Sequence, residues 1–320
     1  MRSTRPKPLH LICGRPMVMH VIHSLSALDI DRTVVVVGHG AELVTKKVQE
    51  QAPSSANVTF VEQTEQRGTG HAAIVGLTAF PEDDLDDTST IVVLPGDAPL
   101  LQASTIEELV GTHEASGQAA TLLTARMADP TGYGRIIRAK DGRVLGIVEQ
   151  RDGTPAQLAI DEVCTSIYAF RRDLLGPSLR RISTDNAQSE YYLTDVIGVL
   201  AGMGHRIGTL VADEPAETQG VNDRWQLALA ERELRARTNR RWLLSGVTML
   251  DPRQTFIDVT VTLGRDVTLF PGTMLQGRTT VGDGAEIGPG ARVGPYAALG
   301  PGSHVASGSA TGPFYTGSAD

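Results

Sequence analysis

The sequence predicts an α/β domain built on a mostly parallel sheet, followed by a short left-handed parallel β-helix. Three observations carry this. Up to about residue 245, β-branched runs alternate with helical patterns. Beyond it, an aliphatic residue recurs at every sixth position. Across all 320 residues, 34 glycines accompany only 4% aromatics, a pairing expected where tight turns rather than large side chains shape the fold.

In chain order, residues 33–37, 58–61, 90–94 and 119–124 read as buried strands. Between them, residues 17–28, 41–51, 70–80 and 104–116 carry apolar residues at helical spacing. Such βα alternation places helices on both faces of a parallel sheet and a ligand crevice at the carboxyl ends of its strands. Residues 135–139, 144–149 and 163–170 read as added strands, the first two joined by a hairpin turn at Lys140-Asp141-Gly142. Residues 222–244 read as a connecting helix. Its six arginines face only three acids, which could attract nucleic acid but suits a solvated helix with internal ion pairs better.

After the helix, Ile257, Leu263, Leu269, Leu275, Val281, Ile287, Val293, Leu299 and Val305 stand six apart. Glycine follows directly at Gly264, Gly282, Gly288, Gly294 and Gly300. Three six-residue sides close one triangular coil whose aliphatic residues stack inward, so the nine hexads make about three coils. A glycine-rich linker would not hold that register. Residues 306–320 lose it and read as a loose tail. The expected boundaries are therefore 1–221, 222–244, 245–305 and 306–320.

The formal charge of −8 argues against a nucleic-acid or anionic-lipid partner. Two cysteines cannot form a disulfide framework, which points to a reducing compartment. No apolar run is long enough to span a membrane, and the apolar stretch ending at Cys13 is broken by Gly14-Arg15-Pro16 before it could serve as a secretion signal. No zinc-helix motif, nucleophile elbow or P-loop consensus is present, which disfavours protease, esterase and ATPase chemistry.

Several residues could carry other chemistry. Asp97 ends the apolar strand of Val92-Val93-Leu94-Pro95-Gly96, either as a turn former or as a hard oxygen ligand for Mg²⁺. Gly68-Thr69-Gly70 opens a helix, where Thr69 is an N-cap or the glycines admit a flat ligand to free backbone N–H groups. Gln63 could pair with the edge of a base. Lys7 lies between two prolines and is either solvated or a point charge for a phosphate. Gly134 permits close approach to a ligand, and Glu149 either accepts hydroxyl hydrogen bonds or lies on a wet strand face. Asn222 reads as an N-cap, with an amide oxygen that is also an acceptable Mg²⁺ ligand.

Taken in order, these motifs resemble one family: Arg5-Pro6-Lys7-Pro8-Leu9-His10, Gln63 with Gly68-Thr69-Gly70-His71-Ala72, Gly96-Asp97-Ala98-Pro99-Leu100-Leu101, and Asp129-Pro130-Thr131-Gly132-Tyr133-Gly134-Arg135-Ile136. Ile147-Val148-Glu149, the run from Asn186 through Glu190-Tyr191-Tyr192-Leu193-Thr194-Asp195, and Gly220-Val221-Asn222 extend the likeness over most of residues 1–305. The family is the bacterial bifunctional N-acetylglucosamine-1-phosphate uridylyltransferase / glucosamine-1-phosphate acetyltransferase. The resemblance implies a Rossmann-like nucleotidyltransferase domain and a β-helix that assembles homotrimers. It also implies a cytoplasmic, Mg²⁺-dependent reaction of UTP with N-acetylglucosamine 1-phosphate. By position, Asp97 and Asn222 would hold Mg²⁺, and Lys7 would meet the phosphates. Gln63, Gly68 and Thr69 would contact the uracil nucleotide, and Gly134 and Glu149 the sugar.

The chain also departs from that pattern. The family's opening strand and glycine-rich phosphate loop would precede Met1, so the true start is expected upstream. The family's Asn-Thr-Gly in the sugar site is Cys164-Thr165-Ser166 here, and Pro95 replaces a polar residue. The acetyltransferase site, built by later coils in the family, is expected to be missing. Two alternatives follow: the same reaction on another hexose 1-phosphate, or a non-catalytic homologue that binds UDP-sugar or serves assembly.

Overall fold

The computed structural model describes residue 1, residues 3–80 and residues 89–312. The chain divides into two compact units, one of residues 18–220 and one that joins residues 1–17 to residues 221–320. This differs from the expected boundary at 221, because the amino-terminal segment belongs with the carboxy-terminal part. That segment is a hairpin of β1 (Leu11–Ile12) and β2 (Arg15–Pro16) leading into α1 (Met17–Leu25).

Within the larger unit the chain runs β3 (Thr33–Val37), α2 (Ala41–Gln51), β4 (Val58–Glu62), α3 (Thr69–Leu77), β5 (Thr90–Val93) and α4 (Ala103–Ser116). It continues with β6 (Ala120–Arg126), β7 (Gly134–Arg138), β8 (Val144–Val148), α5 (Pro155–Leu158), β9 (Glu162–Arg171), α6 (Arg172–Leu179), α7 (Asp195–Gly202) and β10 (Ile207–Val211). The β3–β4 and β6–β10 ladders are parallel, as the βα alternation predicts. The sheet is nonetheless mixed: β9 runs antiparallel to β5, β6 and β7, and β7 and β8 form the expected hairpin.

Strand alternation sends successive side chains to opposite faces, and both faces are covered. Leu122, Tyr168 and Phe170 pack with Leu175, Leu179, Val196, Ile197 and Leu200, under α3, α6 and α7. Leu123, Ile167 and Ala169 pack with Leu101, Ile106 and Leu109, under α4.

In the smaller unit, α8 (Arg224–Leu244) leads into paired two-residue strands forming three parallel sheets. Partners lie one coil apart: Phe256 faces Met274, Thr262 faces Thr280 and Thr268 faces Glu286. The predicted aliphatic stripe is the core, with Leu269, Leu275, Ile287 and Val293 fully buried. A second inward stripe two residues earlier holds small side chains, among them Val267, Thr273, Thr279, Ala285 and Ala291. The buried threonines are satisfied by carbonyls: Thr279 Oγ1 donates to Gln276 O at 2.7 Å. The ladder runs beyond the expected limit at 305, because Ala310–Thr311 pairs with Arg292–Val293. Backbone hydrogen bonds, such as Arg292 N–H to Ser309 O at 2.8 Å, continue the coil without an aliphatic side chain. The rest of the expected tail, 313–320, lies outside the described residues.

The hairpin of residues 11–16 is fastened to this unit at its turn. Cys13 and Gly14 both have positive φ (44° and 77°), the signature of a type I′ turn. Cys13 N–H donates to Glu231 Oε2 at 2.6 Å, and Val259 N–H donates to Cys13 O at 3.0 Å. A Cβ at Gly14 would sit 2.3 Å from the Asp258 carboxylate, so only glycine fits.

Candidate active site

In the larger unit, the loop expected to meet a nucleotide is built by contacts that the local sequence does not announce. Gln63 N–H extends the β3–β4 ladder to Val37 O at 2.8 Å. Its side-chain amide nitrogen donates to Gly68 O at 3.1 Å and lies 3.0 Å from His71 Nδ1. Both bonds use the nitrogen, so the amide oxygen is the atom it can offer a ligand. Gly68, not Thr69, is the N-cap of α3, with φ of +104°. A Cβ there would lie 2.5 Å from Tyr191 O. The Thr69 hydroxyl accepts from Leu193 N–H at 3.0 Å, so the N-cap alternative for Thr69 fails. Reciprocal backbone bonds, Tyr191 N–H to Arg67 O (2.8 Å) and Gly70 N–H to Tyr191 O (2.7 Å), clamp the loop. The motif containing Glu190-Tyr191-Tyr192 is thus the support of the α3 amino terminus.

Asp97 follows β5 through Leu94-Pro95-Gly96 and is half-buried. Gly220 passes so close that a Cβ on it would lie 3.2 Å from Asp97 Oδ1. Tyr133 is another neighbour: burial pushes its phenol up, and the Asp97 charge adds to the shift.

The residues expected at the sugar cluster where β7 crosses β9. Gly134 faces Cys164 in register, and its absent Cβ would lie 2.8 Å from Ile147 Cγ2 and 3.5 Å from Glu149 Oε2. Burial raises the Glu149 carboxyl above its ordinary range, opposed by the Thr194 hydroxyl that donates to Oε1 at 2.9 Å, while Asp152 raises it further. Asp195 is raised by burial and by the charges of Glu149 and Asp152. Glu149 is half-buried, with its carboxyl between Thr194 and Gly134.

Cys164-Thr165-Ser166 occupies a β-bulge, where the register jumps from the Leu123–Ile167 pair to the Thr124–Cys164 pair. Ser166 takes φ of +62° to make the bend. The Cys164 thiol, pushed up to about 11 by burial, lies 3.2 Å from Tyr168 OH. Thr165 Oγ1 donates to Leu123 O at 2.6 Å. A thiol this hard to ionise is no nucleophile at neutral pH. The Cys13 thiol is also raised, by burial and then by Glu231.

Lys7 and Asn222 belong to the smaller unit. Lys7 opens a one-turn 3₁₀ helix (Lys7–Leu9), and its Nζ donates to Asn222 Oδ1 at 2.6 Å. Asn222 is not the N-cap of α8: Asp223 is, accepting from Gln226 N–H at 2.7 Å. Asn222 is thereby released from the capping role, and its amide oxygen accepts from Lys7 instead.

The donor chemistry fits Mg²⁺. Among the described residues, no group of three or more His, Cys, Asp or Glu side chains could hold a metal. Mg²⁺ needs none when substrate phosphates complete its shell around one or two protein oxygens. Asp97 offers such a carboxylate, and glycine at 220 keeps a side chain from pressing on its Oδ1. Sequence reasoning missed Thr194, Tyr133 and Gly220 as site neighbours, although all three fall within its quoted motifs.

A profile of the nucleotidyl transferase family matches residues 2–215. Among curated proteins, the chain is 47% identical over 286 residues to the Bifunctional protein GlmU of Thermobifida fusca, covering 89% of this chain and 58% of that protein. It is 44% identical over 283 residues to the protein of that name from Shouchella clausii, covering 88% and 60%. The Mycolicibacterium vanbaalenii protein of that name is 47% identical over 291 residues, covering 89% and 58%. The chain thus spans about three fifths of the length of these relatives. No helix among the described residues is long and apolar enough to cross a membrane.

Proposed function

Since the chain belongs to the nucleotidyl transferase family, we propose that it condenses UTP with N-acetylglucosamine 1-phosphate, giving UDP-N-acetylglucosamine and pyrophosphate. The observation that carries this reading is the clamped α3 amino terminus. Gly68 and Thr69 are held against the 190–193 segment, and Gln63 presents an amide oxygen beside them. Backbone N–H groups at a helix start suit a phosphate, and an amide suits a base edge. In the reaction, a phosphate oxygen of the sugar 1-phosphate attacks the α-phosphorus of UTP, and the bond to the β-phosphate oxygen breaks. The absence of an ionisable thiol at Cys164 is consistent with direct transfer.

Asp97 and Asn222 are the proposed Mg²⁺ ligands. Their support is motif position. Mg²⁺, when bound, would neutralise and orient the phosphates. Lys7, already bonded to Asn222, would add a point charge for the same phosphates. Gly134, Glu149, Cys164 and Thr165 are the proposed sugar contacts, with Thr194 fixing the Glu149 carboxylate. A cytoplasmic setting follows from the need for UTP. The β-helix is proposed to assemble homotrimers, a state that light scattering reads directly. Acetyl transfer is not proposed for this chain.

One observation favours a second reading, another hexose 1-phosphate as acceptor. The Cys164 thiol pairs with Tyr168 and the Thr165 hydroxyl donates to Leu123, so neither side chain offers the sugar a free strong donor. Pyrophosphate release from UTP with a panel of hexose 1-phosphates tests both. Preference for N-acetylglucosamine 1-phosphate supports the first reading, and preference for another sugar the second. Silence with every sugar, in a chain that also carries the family's glycine-rich phosphate loop, refutes the enzymatic reading.

A further inference from the structure

Glu217 is a buried carboxylate outside every motif used above. It is 3% exposed and lies in the 3₁₀ turn Pro215–Thr218. One of its oxygens, Oε2, accepts three hydrogen bonds: from Gln102 N–H (3.3 Å), from the Gln102 side-chain amide (3.4 Å) and from the Thr105 hydroxyl (3.0 Å). All three donors sit at the amino-terminal turn of α4, whose own N-cap residue, Gln102, makes no side-chain cap. The cap of α4 therefore comes from a segment more than 100 residues away in sequence, and its negative charge suits the positive end of the helix.

The two tied segments are the ones that meet at Asp97. Gln102 lies five residues after Asp97, and the stretch between is fixed by the buried Ala98, Leu100 and Leu101. Gly220 lies three residues after Glu217, and a Cβ on it would press on Asp97 Oδ1 at 3.2 Å. The pair of segments is thus fastened at one end by Glu217 and passes closely at the other beside the Asp97 carboxylate. Given Asp97 as a metal ligand, on the reading proposed above, we infer that Glu217 is a positioning residue for the metal site. It aims the Asp97 loop.

Mn²⁺ serves as the probe, with free Mn²⁺ counted by its electron paramagnetic resonance signal during titration of the full chain. Glu217→Ala is expected to weaken Mn²⁺ binding about 10-fold, in the range for loss of a support behind a metal ligand. Glu217→Gln keeps an acceptor oxygen and is expected to stay within about three-fold of the parent, since only the charge assistance is lost. Thr105→Val removes a single bond, is expected to fall between them, and carries the test if Glu217→Ala does not fold. Thermal melts run alongside. Lower melting temperatures with unchanged Mn²⁺ affinity in Glu217→Ala or Thr105→Val would overturn the positioning role and leave a cap that only stabilises α4. A parent that binds no more Mn²⁺ than Asp97→Ala would instead refute the metal reading, and the positioning role with it.

Discussion

The β-helix and the α/β unit use the same residue types under different rules. In the β-helix a residue's task follows from its place in a six-residue count: Leu269, Leu275 and Ile287 are interchangeable in role because each coil repeats the last. In the α/β unit no count applies. Gly68, Gly134 and Gly220 each yield space to one particular distant group, Tyr191, Ile147 and Asp97 respectively. Repetition makes a fold readable, whereas a binding site is assembled from unique long-range contacts.

The largest effect that would sharpen this contrast is expected in the unique part. Asp97→Ala should lower Mg²⁺-dependent pyrophosphate release by about 100-fold or more, the scale for loss of a group that organises transition-state charge. Near-parental turnover would remove Asp97 from the metal site. In the repetitive part, Leu275→Ala should cost about 2–5 kcal/mol by urea unfolding, since the side chain is fully buried. A much smaller loss would mean that the coils adjust to one another. Gly282→Ala would place a Cβ 2.5 Å from Pro301 N on the next coil, a backbone clash of about 1–3 kcal/mol. Gly68→Ala meets both a positive φ and Tyr191 O. It should raise the KM for UTP more than the KM for the sugar phosphate, and equal rises would argue against a nucleotide role for that loop.

The smallest effect concerns pH. The Glu149 carboxyl is raised above its ordinary 4.5 chiefly by burial, so the folded state favours the neutral acid. Its stabilising contribution is full below the unfolded value and is lost as pH climbs through the folded one. Glu149→Gln stays neutral throughout, so its melting temperature relative to the parent should rise between pH 4 and pH 8. A pH-independent difference would place the ionised carboxylate in a satisfied environment. Sugar-phosphate affinity should fall in the same variant.

What could be read from sequence follows the same division. The hexad stripe and strands 33–37 and 58–61 are local periodicities, and the structure contains both. The antiparallel course of β9 could not be read, because a strand's hydrophobic pattern carries no direction. Nor could the grouping of residues 1–17 with 221–320, which depends on Cys13 meeting Glu231 across 218 residues. Asn222 was misread as a cap because Asp223 beside it is an equally good one. The second stripe of Thr273, Thr279 and Ala285 escaped notice because small and hydroxylated residues look like surface. In the site, types and motif order were legible, whereas the Thr69–Leu193 and Glu217–Thr105 bonds join residues more than 100 apart and leave no local trace.

The fastening of the 11–16 hairpin by Glu231 and Val259 also sets a timetable for synthesis. Its partners are encoded only after residue 220, with the whole of the larger unit between. At ordinary elongation speeds of about 5–20 residues per second, the hairpin must wait on the order of 10–40 s for them to leave the ribosome. The intervening unit is one continuous stretch and can fold during that interval, shortening the loop that the late closure must span. A nascent chain stalled before residue 231 should therefore expose the amino-terminal hairpin to protease while the α/β core is already protected.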